Sequence, residues 1–184
     1  SESINPKKPI LYNTKGLLIK RILEKQHVVK QFYGYKNDNI YFSSYSKDGL
    51  GIDLWNVSIN KKYKKKIISD GNFHHFKISP TKSFFIDQFS NTETPLVTRI
   101  INNKGNEIAE LLISENPLRD YKLGELELLK IKTDDKINLN ARLIKPYDFD
   151  KKKKYPALIY VYNGPGVQLI NNRWLAGAPL WMYY

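Results

Sequence analysis

A strand–turn–strand pattern recurs along this chain at a fixed interval, and no other feature limits its possible folds so sharply. Tyr12-Asn13-Thr14-Lys15-Gly16-Leu17-Leu18-Ile19-Lys20-Arg21-Ile22-Leu23 echoes Ile101-Asn102-Asn103-Lys104-Gly105-Asn106-Glu107-Ile108-Ala109-Glu110-Leu111-Leu112. Lys15 and Lys104 stand 89 positions apart. That is twice a period of about 44, within the roughly 40–50 residues of a propeller blade. A third copy is due midway, and Leu54-Trp55-Asn56-Val57-Ser58-Ile59-Asn60, a lysine-rich turn and Lys66-Ile67-Ile68 supply it. Between these hairpins, polar turn residues precede an aromatic-rich strand twice, at 37–44 and at 79–87. Each unit then holds four short strands: 27–35, 40–45, 51–59 and 65–69 in the first, 73–78, 83–89, 96–102 and 107–113 in the second. Four antiparallel strands per repeat make a β-propeller blade, with residues 12–23 as the outer hairpin of a preceding one. Propellers close about four or more blades into a ring. Two and a half would leave apolar faces and sheet edges uncovered, so the protein is expected to begin earlier.

The period stops near residue 113. Asn116-Pro117-Leu118-Arg119-Asp120-Tyr121 reads as a linker or short helix, with Pro117 at an early position where its missing N–H costs little. A domain boundary near 114 follows. Residues 126–132 and 137–144 alternate apolar and polar side chains around Thr133-Asp134-Asp135-Lys136, the pattern of a hairpin. Farther on, Leu158 to Val161 is apolar without alternation, as expected of a strand buried on both faces of a parallel or mixed sheet. It runs into Tyr162-Asn163-Gly164-Pro165-Gly166. Turns leaving such strands are where α/β enzymes place their chemistry. A tyrosine phenol, with a reference pKa of about 10, keeps its proton at pH 7 and can donate to a developing oxyanion. Tyr162 is therefore either a pre-positioned donor or a buried residue capping a strand.

The pattern Y-P-x-x-x-x-V-Y-x-G-P at residues 155–165 resembles the prolyl oligopeptidase family of serine peptidases. Its Tyr-x-Gly-Pro is most similar to the dipeptidyl peptidase IV branch. Residues 78–87 resemble the family's F-S-P-D-G-K-Y-F-L-D, residues 90–95 its S-S-x-x-T-P, and residues 145–150 its K-P-x-x-F-D. Two turns depart from the family: the Asp-Gly usual after the Ser-Pro and the Asp-Gly usual in the later hairpin are both replaced. The resemblance implies all-β propeller blades over residues 1–113, then the N-terminal part of an α/β-hydrolase domain over 114–184. It implies Tyr162 as an oxyanion-hole donor, a peptide substrate, release of N-terminal dipeptides after proline, no cofactor and frequent homodimers.

Such a hydrolase needs a Ser nucleophile, an acid and a His in that order. From Glu115 onward there is no Ser, His or Cys. The expectation is a chain cut before its nucleophile and inactive alone. A non-catalytic propeller-containing interaction protein, or an inactive truncated product, is the alternative. No run of 18 apolar residues exists, and residues 1–8 are polar, so neither a membrane-spanning helix nor a signal peptide is expected. A periplasmic or secreted location would need a signal lying upstream. Absence of Cys excludes disulfides and thiolate metal sites. The net charge of +12 and the lysine runs at 61–66 and 151–154 suggest a polyanion. Those runs sit between apolar strands and Arg is scarce, so solvated loops are expected and no nucleic acid. His74-His75 suggests a metal only superficially. Adjacent strand residues point to opposite faces, and neither a carboxylate nor a Cys is read at ligand spacing, so a structural role and no metal are expected. Asn56-Val57-Ser58 fits a glycosylation acceptor but falls within a strand. Arg173-Trp174 either lines the cleft or packs.

Overall fold

The computed structural model describes residues 10–21, 28–60, 64–162 and 168–183. Two four-stranded antiparallel meanders dominate it. The first runs β3 (Val29–Lys36), β4 (Asn39–Tyr45), β5 (Ile52–Ser58) and β6 (Lys64–Ile68). The second runs β7 (Phe73–Ile78), β8 (Phe84–Ser90), β9 (Val97–Asn102) and β10 (Glu107–Ile113). A short hairpin, β1 (Ile10–Tyr12) and β2 (Leu18–Arg21), precedes them, and a second hairpin, β11 (Leu126–Lys132) and β12 (Asn138–Ile144), follows. The eight strands expected of the two meanders, and the two of the later hairpin, are all present to within two residues at each end. Residues 116–121 form successive turns rather than a helix, closed by Tyr121 N–H donating to Leu118 O at 3.0 Å.

Strand alternation explains how the meanders stack. On β4, Tyr41 faces the second meander while Ile40 and Phe42 face the other way. Tyr41, Ile52, Leu54 and Ile67 join Phe76, Phe85 and Ile101 in a core between the sheets. The Tyr41 and Phe85 rings lie 6.0 Å apart. On the opposite face, Ile40, Phe42, Trp55 and Val57 pack with Leu11 of the first hairpin. The first meander is thus covered on both faces, which is why β4 and β5 are buried almost throughout. Every residue of β10 is exposed, including Ile108, Leu111 and Leu112.

Two positions correct the sequence-based expectations. Leu158 to Val161 form no strand, and Leu158, Ile159 and Val161 are 80%, 84% and 77% exposed. A strand buried on both faces exists only through the strands flanking it, and the described residues hold no such partners. All sheet pairing among the described residues is antiparallel, and no α-helix occurs there, so the α/β layer is not seen. Lys64 to Lys66, the end of a lysine run expected to be solvated, lie in β6, as the expected 65–69 strand requires of the last two, and Lys66 pairs with the buried Asp53 at 2.8 Å.

Candidate functional site

Tyr162 ends the exposed 156–162 segment and is 58% exposed itself. Gly164 and Pro165 lie outside the described residues. Beyond them the chain returns to the meanders and is held there. Gln168 Nε2 donates to Gly49 O. Asn172 N–H donates to Leu50 O at 2.8 Å, and its Nδ2 donates to Gly71 O at 2.9 Å. Thr92 N–H donates to Asn172 Oδ1 at 3.2 Å, and Trp174 N–H donates to Ser90 Oγ at 3.1 Å. The β11–β12 hairpin joins the same surface, with Asn140 Nδ2 donating to Asp48 O at 2.7 Å and Arg142 Nη1 to Ala176 O at 2.9 Å.

The local sequence explains why these loops can receive the returning chain. Ser46 and Asp48 close a tight turn in which Ser46 Oγ donates to Asp48 Oδ1 at 2.5 Å, and Gly49 takes φ +78°. Gly71 takes φ +84°, beside Asp70, whose Oδ1 accepts Asn72 N–H at 3.0 Å. A side chain at Gly51 would meet Gly71 O at 2.6 Å, so only glycine lets the two turns lie against each other.

Arg173 is exposed beside this seam. Its guanidinium lies 6.0 Å from the Phe73 ring centroid, and Lys30 Nζ lies 4.2 Å from it. Burial, and secondarily the Arg173 charge, push the Lys30 ammonium below its ordinary range. Trp174 is half-buried and packs at the interface by its backbone bond.

His74 is fully buried while His75 is exposed, as strand alternation requires. Two carboxylates that the spacing of the sequence does not point to nevertheless meet His74. Asp87 Oδ1 lies 2.7 Å from His74 Nδ1, and Asp70 Oδ1 lies 2.8 Å from Nε2. Asp87 Oδ2 in turn accepts from Arg99 Nε at 2.9 Å. A carboxylate can only accept and a neutral imidazole has a single N–H, so two such contacts call for an imidazolium. Burial works against that charge, but the bonds to Asp70 and Asp87 outweigh it and raise the His74 pKa. Burial likewise opposes the Asp70 carboxylate, and the His74 bond and charge win, lowering it to about 2. Both ring nitrogens are occupied, so His74 activates no nucleophile. Among the described residues no cluster of His, Cys, Asp and Glu is arranged to hold a metal, and no helix is long and apolar enough to cross a membrane.

A sequence profile described as the dipeptidyl peptidase IV (DPP IV) N-terminal region matches residues 7–96. The chain is 30% identical over 145 residues to human dipeptidyl peptidase 8, covering 73% of this chain and 16% of that one. To dipeptidyl aminopeptidase A of Saccharomyces cerevisiae it is 26% identical over 159 residues, covering 77% and 17%. The crystal structure of Porphyromonas gingivalis dipeptidyl peptidase 4 superimposes with a TM-score of 0.82 at 26% identity, over 95% of this chain and 25% of that one. The chain thus spans about a sixth of the length of these curated relatives.

Proposed function

Because this chain belongs to the dipeptidyl peptidase IV family, we propose that it forms the junction between propeller and catalytic domain of a serine peptidase that releases N-terminal dipeptides from peptides. Residues 1–113 supply propeller blades, and 114–184 open an α/β-hydrolase domain. The observation that carries this reading is the succession, in one chain, of two stacked four-stranded meanders and a Tyr-x-Gly-Pro segment whose downstream arm is bonded to them.

In this reading a serine attacks the scissile carbonyl, and the Tyr162 phenol donates to the oxyanion of the tetrahedral intermediate. The hydroxyl meets charge that develops only in the transition state, so its contribution falls on kcat rather than on ground-state binding. Residues 115–184 contain no Ser, His or Cys, and these 184 residues alone are expected to lack peptidase activity. In the intact peptidase, Tyr162→Phe is expected to lower kcat about 100–1,000-fold with little change in KM. Phe fills nearly the same volume, so a purely packing role predicts near wild-type kcat. Steady-state kinetics on an Xaa-Pro chromogenic substrate separate the two.

A further inference from the structure

We propose that Asn172 is a positioning residue: it locks the chain that follows the Tyr-x-Gly-Pro segment onto two adjacent propeller blades, so that the propeller fixes where the Tyr162 phenol stands. This rests on the reading of Tyr162 as the oxyanion donor.

Asn172 meets three backbone groups from three different loops. Leu50 O belongs to the β4–β5 turn, Gly71 O to the connection between the meanders, and Thr92 N–H to the β8–β9 loop. Those loops are themselves tied together. Ile52 N–H donates to Asn72 O at 3.0 Å, and Asn91 Nδ2 donates to Asn72 Oδ1 at 3.1 Å. Asn91 Oδ1 also accepts the N–H groups of Glu93 and Thr94 at 2.9 and 2.7 Å. The result is a preformed triangle of two acceptors and one donor. An asparagine matches it completely: its backbone N–H and Nδ2 supply the two donors, and Oδ1 the acceptor. Because the partners are a backbone carbonyl and a backbone N–H, the amide orientation is fixed by chemistry. Aspartate would set oxygen against Gly71 O, and leucine would leave Gly71 O and Thr92 N–H without a partner.

Gln168 grips the same turn through Gly49 O, four residues before Asn172. Only six peptide steps separate Tyr162 from Gln168, so the phenol's residue lies within about 20–22 Å of an anchored point whatever path the chain takes. Misplacing a catalytic group by about 1 Å can cost about 100-fold in rate. A loosened anchor therefore reaches the chemistry without touching substrate.

The test is a double-mutant cycle in the intact peptidase with Asn172→Leu and Tyr162→Phe, repeated with Asn172→Asp, which keeps the acceptor for Thr92. Amide hydrogen exchange of segments 46–51, 90–94 and 168–174 is read alongside. Asn172→Leu is expected to lower kcat about 10–100-fold with KM within about threefold, and to speed exchange in those segments. In the Tyr162→Phe background it is expected to cost less than about threefold, because the two residues act through one interaction. Wild-type kcat in both Asn172 variants, or a loss that multiplies fully with Tyr162→Phe, overturns the positioning role. Near wild-type kcat in Tyr162→Phe alone overturns the oxyanion reading on which it rests. In that case faster exchange without a rate defect would show the lock to be structural only, and so also overturn the proposal.

Discussion

His74 shows what a single residue contributes that its sequence neighbourhood does not announce. The strand pattern sends His74 and His75 to opposite faces, and the structure puts His74 inside and His75 outside. What the pattern does not display is the register. Phe76 pairs with Asp87 and His74 with Phe89, so Asp87 is the diagonal neighbour of His74 on the same face, a relation that depends on the turn between the strands. With Asp70 completing the bridge, the imidazolium sits between two carboxylates, and Arg99 balances the second. Removing one member leaves a buried charge uncompensated, and Asp87→Ala is expected to cost about 3–5 kcal/mol of stability, measurable by denaturant unfolding. The pH dependence has a definite sign. The folded pKa of His74 is raised, so its contribution is fully present below its unfolded pKa of about 6.5 and is lost as pH rises through the folded value. Asp70, lowered from 3.8 to about 2, contributes above 3.8 and loses its contribution as pH falls through about 2. Melting temperature is therefore expected to be highest between about pH 4 and 6.5. His74→Gln should lower that plateau and remove the decline on its alkaline side; a variant that keeps the full alkaline decline would show that other groups produce it.

Among the elements, legibility divides by what each one needs. The meander strands carry their own alternation and turn residues, so the sequence locates β7 at 73–78 and β10 at 107–113 to the residue. The expectation of a strand at 158–161 rests on apolar content alone, and apolar content gives no pairing partner; with none among the described residues, the segment lies exposed. The turns that depart from the family pattern are informative in another way. Lys82 takes φ +57° and Lys136 takes φ +66°, the left-handed region in which a Cβ costs about 1–2 kcal/mol. Each turn keeps its closing bonds: Lys82 N–H donates to Ser79 O and Lys136 N–H to Thr133 O, both at 2.9 Å. The lysines have strained these turns without lengthening them. Lys82→Gly and Lys136→Gly are each expected to raise stability by about 0.5–1 kcal/mol, since glycine removes the strain but adds entropy to the unfolded chain. An unchanged or lowered midpoint in both variants would mean that neighbouring contacts, not backbone conformation, hold these turns.

At the scale of the whole molecule, the two faces of the stack are unequal. The first meander is enclosed between the β1–β2 hairpin and the second meander, whereas the far face of the second is bare. Phe84, Ile86, Ile100 and Ile108 line an apolar groove of about 420 Å³ there, and the exposed Leu158, Ile159 and Val161 add a second apolar stretch. Apolar sheet faces and unpaired edges of this kind pair with other chains, and the charge of +12 opposes that pairing only at low ionic strength. These 184 residues in isolation are therefore expected to self-associate, increasingly so as salt is raised from about 0.01 to 0.15 M and the Debye length shrinks from about 30 to 8 Å. Ile86→Lys places a charge in the groove on a residue that is already exposed, so it should reduce association with little loss of thermal stability. Sedimentation velocity across the salt series reads both effects. Monodisperse monomer at every salt concentration would show that the bare face is too small or too well flanked by lysine to drive pairing. Association that ignores Ile86→Lys would move its origin from the groove to the exposed 158–161 segment.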